Sequence, residues 1–281
     1  MTREEVKVMV RELRRAFDIV RIVEAPSDRQ FCINEACELV QEVGHCFDFW
    51  NRDDRCEHCV AMSALSNKGI FRKFEFLGPD IYLITAMYVE IEGAPYIIEI
   101  HAKLTDDTMI GVWGATDLAE SVIKNNGNLY RDALTGAYNR QYYDEQFSAL
   151  PGKYAVGYID IDQFKNINET WGHDAGDQAL RAVVDAMMSC VRGTDSVVRF
   201  GGDEFVIVFK DIPKHVFAVR LEEIRKAVSE VAIEEFPDIH MSISIGGYYG
   251  EGTMEELVKK ADALLYDAKA NKNNIQLNFE E

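Results

Sequence analysis

The chain has 281 residues, too many for one core of ordinary size and enough for two domains. Its 47% hydrophobic and 28% charged residues exclude a disordered, collagenous or mucin-like chain. Thirty Lys and Arg against 48 Asp and Glu leave a net charge of −18, which disfavours bulk attraction to nucleic acid or anionic lipid, so a small polyanion would need a metal ion or a few placed cations.

The opening segment places Val6, Met9, Val10, Leu13, Phe17 and Val20 at three- and four-residue steps, with Thr2 and Glu5 spaced as a capping box, and predicts one amphipathic helix. It lacks the basic and apolar regions of a signal peptide, and no apolar run approaches the ~20 residues of a bilayer span. A cytoplasmic protein without membrane insertion is expected. Five of the six cysteines, Cys32, Cys37, Cys46, Cys56 and Cys59, fall within the first sixty residues, which in a reducing compartment speaks for thiols or metal ligands rather than structural disulfides. Cys32, Cys37 and Cys190 stand at helical spacing among apolar residues and read as small buried hydrophobes. For Cys46, Cys56 and Cys59 two readings stand side by side: buried hydrophobes, or a CxxC with a third cysteine that ligates zinc or an iron–sulfur cluster or acts as a redox thiol pair. His45, His58 and His101 are further candidate ligands or ordinary surface and core histidines.

From 71 to 100, β-branched and aromatic residues alternate with polar ones between turns at Gly78-Pro79 and Gly93-Ala94-Pro95, as in an antiparallel meander. A helical piece at 117–124 and Asn125-Asn126-Gly127-Asn128 predict a junction over 117–128 between domains at 1–116 and 129–281. Beyond it strands and longer helices alternate: strand at 154–161, helix at 174–191, strands at 196–200 and 205–209 about a Gly-Gly turn, helix at 213–231, strand at 241–249 and helix at 253–270. That order is α+β, with helices on the faces of a sheet of the ferredoxin-like kind.

Two segments concentrate the chemistry. In Arg199-Phe200-Gly201-Gly202-Asp203-Glu204-Phe205 two glycines let the backbone approach a ligand and two carboxylates project from the turn; a solvated hairpin tip is the plain alternative. The strand ending in Asp160-Ile161-Asp162 runs into Phe164-Lys165-Asn166-Ile167-Asn168 and Gly172-His173-Asp174-Ala175-Gly176-Asp177. An Asp at a strand's carboxyl end can hold a divalent metal, and nearby N–H groups with Lys165 can receive phosphate oxygens, a set suited to phosphoryl transfer.

From 129 to 277 the sequence resembles the GGDEF-domain diguanylate cyclases, on six motifs in order: Asp132-Ala-Leu-Thr-Gly-Ala-Tyr-Asn-Arg140, Asp160-Ile-Asp-Gln-Phe-Lys-Asn-Ile-Asn168, Gly172-His-Asp-Ala-Gly-Asp177, Arg199-Phe-Gly-Gly-Asp-Glu-Phe205, Ser242-Ile-Ser-Ile-Gly246 and Ala261-Asp-Ala-Leu-Leu-Tyr-Asp-Ala-Lys269. The resemblance implies an enzyme that condenses two GTP into cyclic di-GMP and two pyrophosphates as a homodimer, each chain holding one GTP. It implies that Asp160, the Ile161 carbonyl and Asp203 ligate Mg²⁺ or Mn²⁺ beside Glu204, and that the amides around Gln163 and Phe164, with Lys165 and Lys269, hold the triphosphate. Asn168 and Asp177 would read guanine, and Gly201 and Gly202 would bring the main chain against the nucleotide. Glu204 helps deprotonate the 3′-hydroxyl, or a metal-bound alkoxide needs no protein base. The family's usual closing arginine is replaced by Asn273, with Lys272 beside it. Arg192-Gly193-Thr194-Asp195 lies at the family's RxxD spacing, implying a product-inhibition site; a helix-end Arg with a capping Asp is the alternative. A silent domain that only receives cyclic di-GMP is the rival to the enzyme.

Residues from about 17 to 117 resemble a PAS sensor domain, on the small helices after Ala25 and the meander ending at Lys103-Leu104-Thr105-Asp106. The expected fold is thus a PAS-like antiparallel-sheet domain followed by a ferredoxin-like, palm-type GGDEF domain.

Overall fold

The computed structural model describes residues 1–56, 58–78, 80–104, 129–147 and 151–280; the expected junction at 117–128 lies outside them. The chain divides into two compact units, Met1–Asn126 and Gly127–Glu281.

In the first unit α1 (Arg3–Leu13) carries a complete capping box: the Thr2 hydroxyl accepts from the Glu5 N–H and the Glu5 carboxylate accepts from the Thr2 N–H. It buries Val6 and Val10 against Val20, Ile22, Val89, Ile91 and Ile98. The helix is shorter than its periodicity implies. Arg14 closes it, donating through Nε and Nη2 to the Val20 carbonyl; Phe17 is exposed and Val20 belongs to the first strand. Val20 continues the apolar stripe because the chain reverses and lays β1 (Ile19–Glu24) under the same helix face.

β2 (Arg29–Ile33), β3 (Leu39–His45), α2 (Val60–Asn67), β4 (Ile70–Leu77), β5 (Asp80–Ile91) and β6 (Ala94–Lys103) complete this unit. The six strands form one antiparallel sheet in the order β3-β2-β1-β6-β5-β4, whose last three are the expected meander. The pair β2 and β3 has no counterpart in the sequence reading, which placed Cys32 and Cys37 at helical spacing. Cys32 lies on β2, and Cys37 sits in the tight connection after it with φ +61 and its thiol against Glu4 and Lys7, so neither is a helical core residue.

The second unit contains α3 (Arg140–Gln146), β7 (Pro151–Ile161), α4 (Phe164–Trp171), α5 (His173–Ser189), β8 (Ser196–Gly201), β9 (Glu204–Phe209), α6 (Lys214–Ser229), β10 (Ile243–Thr253), α7 (Met254–Ala268) and β11 (Ile275–Phe279). The sheet runs β11-β10-β7-β9-β8, antiparallel throughout except for the β10–β11 pair. Along β7 the period of two splits the side chains between two cores. Ala155, Ile159 and Ile161 join Val183, Val184, Leu221 and Ile224 of α5 and α6, whereas Val156 and Tyr158 join Leu257, Ala261 and Leu265 of α7. Asp160 falls on the α7 face by the same alternation.

Gly246 of β10 is what lets α7 lie against the sheet. A Cβ there would stand 2.0 Å from the Ala261 carbonyl oxygen and 2.3 Å from the Leu265 nitrogen, both helix backbone atoms that cannot step aside alone. Gly246→Val should therefore destabilise the unit by about 2 kcal/mol or more, read as a lower urea midpoint at unchanged slope. An unchanged midpoint would show that α7 is not seated there.

Candidate active site

The site grows from the end of the central strand. Asp160 pairs across the sheet with Glu204 on one side and Ser244 on the other, so its carboxylate and that of Glu204 share a face at neighbouring positions. Asp160 is buried, and burial raises its pKa; Lys269, just past the end of α7, opposes that rise, while Asp203 and Glu204 add to it. Lys269 Nζ lies 2.8 Å from Asp160 Oδ2. For the lysine burial works against charge, but the contact with Asp160 and the nearby Glu204 and Asp203 carry its pKa above the ordinary value. The ammonium is thus bonded to Asp160, and both groups feel the charges of Asp203 and Glu204.

The hairpin tip between β8 and β9 brings Asp203 to this place. Gly202 adopts φ +44, a left-handed conformation glycine takes without strain, and the Asp203 carbonyl accepts from the Ile161 N–H at 3.2 Å. Arg199 holds the tip from behind. Its Nε and Nη2 donate to the Gly202 carbonyl at 3.0 and 2.8 Å, and its Nη1 donates to Asp132 at 2.9 Å. Asp132 is itself fixed by the Thr135 N–H and hydroxyl, at 3.0 and 2.7 Å. Asp162 performs a similar task on the other side: its carboxylate accepts from the Ser242 and Ser244 hydroxyls and the Asn273 N–H, at 2.6, 2.7 and 2.7 Å. Arg199, Asp132 and Asp162 lie within the sequence motifs, but their roles rest on contacts with distant segments. The available signal was chemical: a charged residue inside a Gly-rich turn motif needs a partner to fix it.

After Asp162 the chain turns through Gln163 at φ +57, a left-handed position unfavourable for a residue with a Cβ. Gln163 then begins α4 with no side-chain cap, leaving the helix's first N–H groups around Phe164 and Lys165 free of intrahelical acceptors. Such a helix start can receive phosphate oxygens. Lys165 is not drawn into the carboxylate cluster; its side chain is 88% exposed, with Glu169 at 3.6 Å. Asn168 packs over the first turn of α5, where a Cβ on Gly176 would stand 2.0 Å from Asn168 Oδ1, so glycine is required for the approach. Asp177 follows directly and is half-buried, which brings both expected base-reading residues to one place.

The Diguanylate cyclase, GGDEF domain family model matches residues 129–275. The chain belongs to this family. Diguanylate cyclase DgcM of Escherichia coli (strain K12) is 36% identical over 152 residues, covering 52% of this chain and 37% of that protein. Response regulator PleD of Caulobacter vibrioides (strain NA1000 / CB15N) is 39% identical over 157 residues, 51% of this chain and 34% of its own length. This chain therefore spans little more than a third of these relatives. Among solved structures, the coiled coil and GGDEF domain of DgcB from Caulobacter crescentus, determined in complex with c-di-GMP, aligns with a TM-score of 0.55 at 25% identity, covering 61% of this chain and 96% of that one.

Within the GGDEF unit, Asn273 takes the place of the expected arginine. Its N–H is held by Asp162 and its Oδ1 accepts from Arg225 Nη1 of α6 at 2.7 Å. In the RxxD segment, Asp195 accepts from the Arg192 and Lys210 N–H groups at 3.0 and 3.1 Å, while the Arg192 side chain is exposed. The capping role of Asp195 is present in the fold. At the other end of the chain, Cys46 and Cys59 are buried and Cys56 half-buried, all six cysteines are reduced, and among the described residues no three His, Cys, Asp or Glu side chains stand together as a metal-binding group. Of the readings open for Cys46, Cys56 and Cys59, the zinc or iron–sulfur one has no such group among the described residues. The aromatic stacking of His45 on Phe47 and of His101 on Trp50 accounts for two of the candidate histidines.

Lys269→Met should raise the pKa of Asp160 further, because it removes the one cation that offsets burial and the two neighbouring acids. Carboxyl-carbon NMR titration of both proteins checks it; an unshifted Asp160 midpoint would show that the ion pair does not form in solution.

Proposed function

We propose that the GGDEF unit condenses two GTP molecules into cyclic di-GMP with release of two pyrophosphates. The observation that carries this reading is the placement of Asp203 and Glu204, on a Gly-Gly tip clamped by Arg199, directly across the sheet from Asp160 and beside the open start of α4. Membership of the family supports it, as do the relatives that carry the cyclase name.

Hard oxygen donors gathered at a partly buried point suit Mg²⁺ or Mn²⁺, which Asp160, Asp203 and the Ile161 carbonyl would hold. When bound, the ion neutralises charge on the α-phosphate and favours ionisation of the attacking 3′-hydroxyl. The chain's own residues supply the rest. The first N–H groups of α4 receive phosphate oxygens, Lys269 exchanges its carboxylate contact for the triphosphate, and Asn168 with Asp177 meets the donor and acceptor edge of guanine. Glu204 stands beside the cluster and accepts the hydroxyl proton. Lys165, exposed at the helix start, reaches phosphate only from outside.

Each unit holds one nucleotide, and the reaction joins two, so two chains face one another in a homodimer. The Arg192 side chain, free on the surface next to a fixed Asp195, binds product and restrains the enzyme. The N-terminal unit, with its six-stranded antiparallel sheet and short helices, acts as a PAS-like sensor that regulates the cyclase, and the C-terminal sheet core β10-β7-β9-β8 is the ferredoxin-like palm.

Full-length protein incubated with GTP and Mg²⁺ should yield cyclic di-GMP, and Asp203→Asn or Asp160→Asn should lower the rate at least about a hundredfold with the fold intact. Normal turnover by either variant would overturn the assignment, and product binding without turnover by the wild type would leave a receptor instead. Arg192→Ala should relieve product inhibition without changing the uninhibited rate; equal product sensitivity would refute an inhibitory role.

A further inference from the structure

Apart from the nucleotide site, the densest collection of reactive groups lies in the N-terminal unit. Cys46, Cys56 and Cys59 line one small cavity of about 10 Å³ together with Arg55, Lys73 and Glu99. That volume admits a single water-sized molecule. We propose that this cavity is a peroxide-reactive thiol site in which Cys56 is oxidised and Cys59 closes a disulfide with it.

The three sulfurs differ in ways that assign their roles. Cys56 is half-buried, whereas Cys46 and Cys59 are 6% exposed. Arg52 hydrogen-bonds the Cys56 side chain and Lys73 lies close to it, so the most accessible thiol is also the one flanked by cations. Burial pushes the Cys59 thiol up to about 11 despite the nearby Arg55, and it pushes Cys46 up as well, with Glu99 adding to the rise. Those two thiols stay protonated and inert toward peroxide. Cys59 lines the same small cavity as Cys56, three residues along the chain, which places it to act as the second thiol. The cations that surround Cys56 are in turn held in place: Lys73 by Glu75 at 2.7 Å, Arg52 by the other oxygen of Glu75 at 2.7 Å, and Arg55 by Asp28 at 2.7 Å.

The chemistry balances with hydrogen peroxide as the oxidant. The Cys56 sulfur attacks one peroxide oxygen, the O–O bond breaks, and the products are Cys56 sulfenic acid and one water. The Cys59 thiol then attacks that sulfur, an S–S bond forms, and the S–O bond breaks; the departing hydroxyl takes the Cys59 proton and leaves as a second water. Two thiols lose two electrons and the peroxide gains them. Hydrogen peroxide reaches Cys56 from its partly exposed side, while the narrow cavity behind it gives bulky organic hydroperoxides no room.

Fully reduced, full-length protein treated with equimolar hydrogen peroxide should lose two hydrogen masses, and non-reducing peptide mapping should join Cys56 to Cys59, reversibly with dithiothreitol. Cys59→Ser should instead accumulate a dimedone-reactive sulfenic acid on Cys56, and Cys56→Ser should show neither product. Tert-butyl hydroperoxide should react more slowly than hydrogen peroxide. Retention of both thiols after Cys37 or Cys190 has oxidised would overturn the proposal, as would a Cys46–Cys59 linkage formed in place of Cys56–Cys59. These readouts are masses and linkages, independent of whether the C-terminal unit turns over GTP.

Discussion

The cross-strand pairing of Asp160 with Glu204 is the constraint on which the C-terminal site depends. Two acids placed opposite one another on adjacent strands repel, and burial of Asp160 adds a desolvation cost. A strand that needed only to fold would place apolar or oppositely charged residues there. The arrangement persists because the rest of β7 is packed on both faces, between α5 and α6 on one side and α7 on the other, and because Lys269 brings an ammonium to Asp160. Lys269 can do so only if α7 lies close to β10, and that closeness rests on Gly246. A helix position, a glycine and an ion pair thus serve one electrostatic problem, the one that a divalent cation would meet under the proposed function.

Much of this was legible in the sequence for a physical reason. The chemistry at Asp160, Gly201, Gly202, Asp203 and Glu204 is carried by short segments whose residue types are individually informative, and strand alternation places Asp160 where a strand ends. The helices α5 and α7 followed directly from helical periodicity. What was not legible depends on contacts between distant segments. Nothing local tells that Arg199 bridges the Gly202 carbonyl and Asp132, or that Asp162 gathers Ser242, Ser244 and Asn273. The helix α4 was missed because its Asn-rich start reads as a loop, and it forms only after Gln163 takes a left-handed turn. In the N-terminal unit the helix stripe ran on into Val20 because two elements pack against the same surface, a coincidence that periodicity cannot separate from continuation.

The two units treat buried charge in opposite ways. In the N-terminal sheet Arg21 and Glu99 are buried and bonded at 2.7 Å, and although burial raises the Glu99 pKa, Arg21 and His101 hold it down to about 2. That acid stays ionised at any pH near neutrality, so its stabilising pairing is complete above its ordinary pKa and is lost only as pH falls toward about 2. His101 completes the group, stacked on Trp50 with its own pKa lowered by burial. Charges there are matched. Around Asp160 they are not, and local rules are broken where a ligand is to bind.

The substitution at Asn273 fits within this contrast. An arginine at that position would add a second cation close to the carboxylates, and Asn273 adds none. Its backbone N–H nevertheless joins the Asp162 network, and its side chain accepts from Arg225, whose guanidinium also pairs with Glu222. The loop is therefore anchored through both its main chain and its side chain, and the guanidinium of this network stands on α6. Lys269 remains as the cation bonded to Asp160, so under the proposed function phosphate binding and carboxylate neutralisation would draw on the same side chain. Under the proposed function, a nucleotide that engaged Lys269 would have to release it from Asp160, and a divalent ion held by that acid would offset the loss, so that the two binding events would be coupled through one lysine.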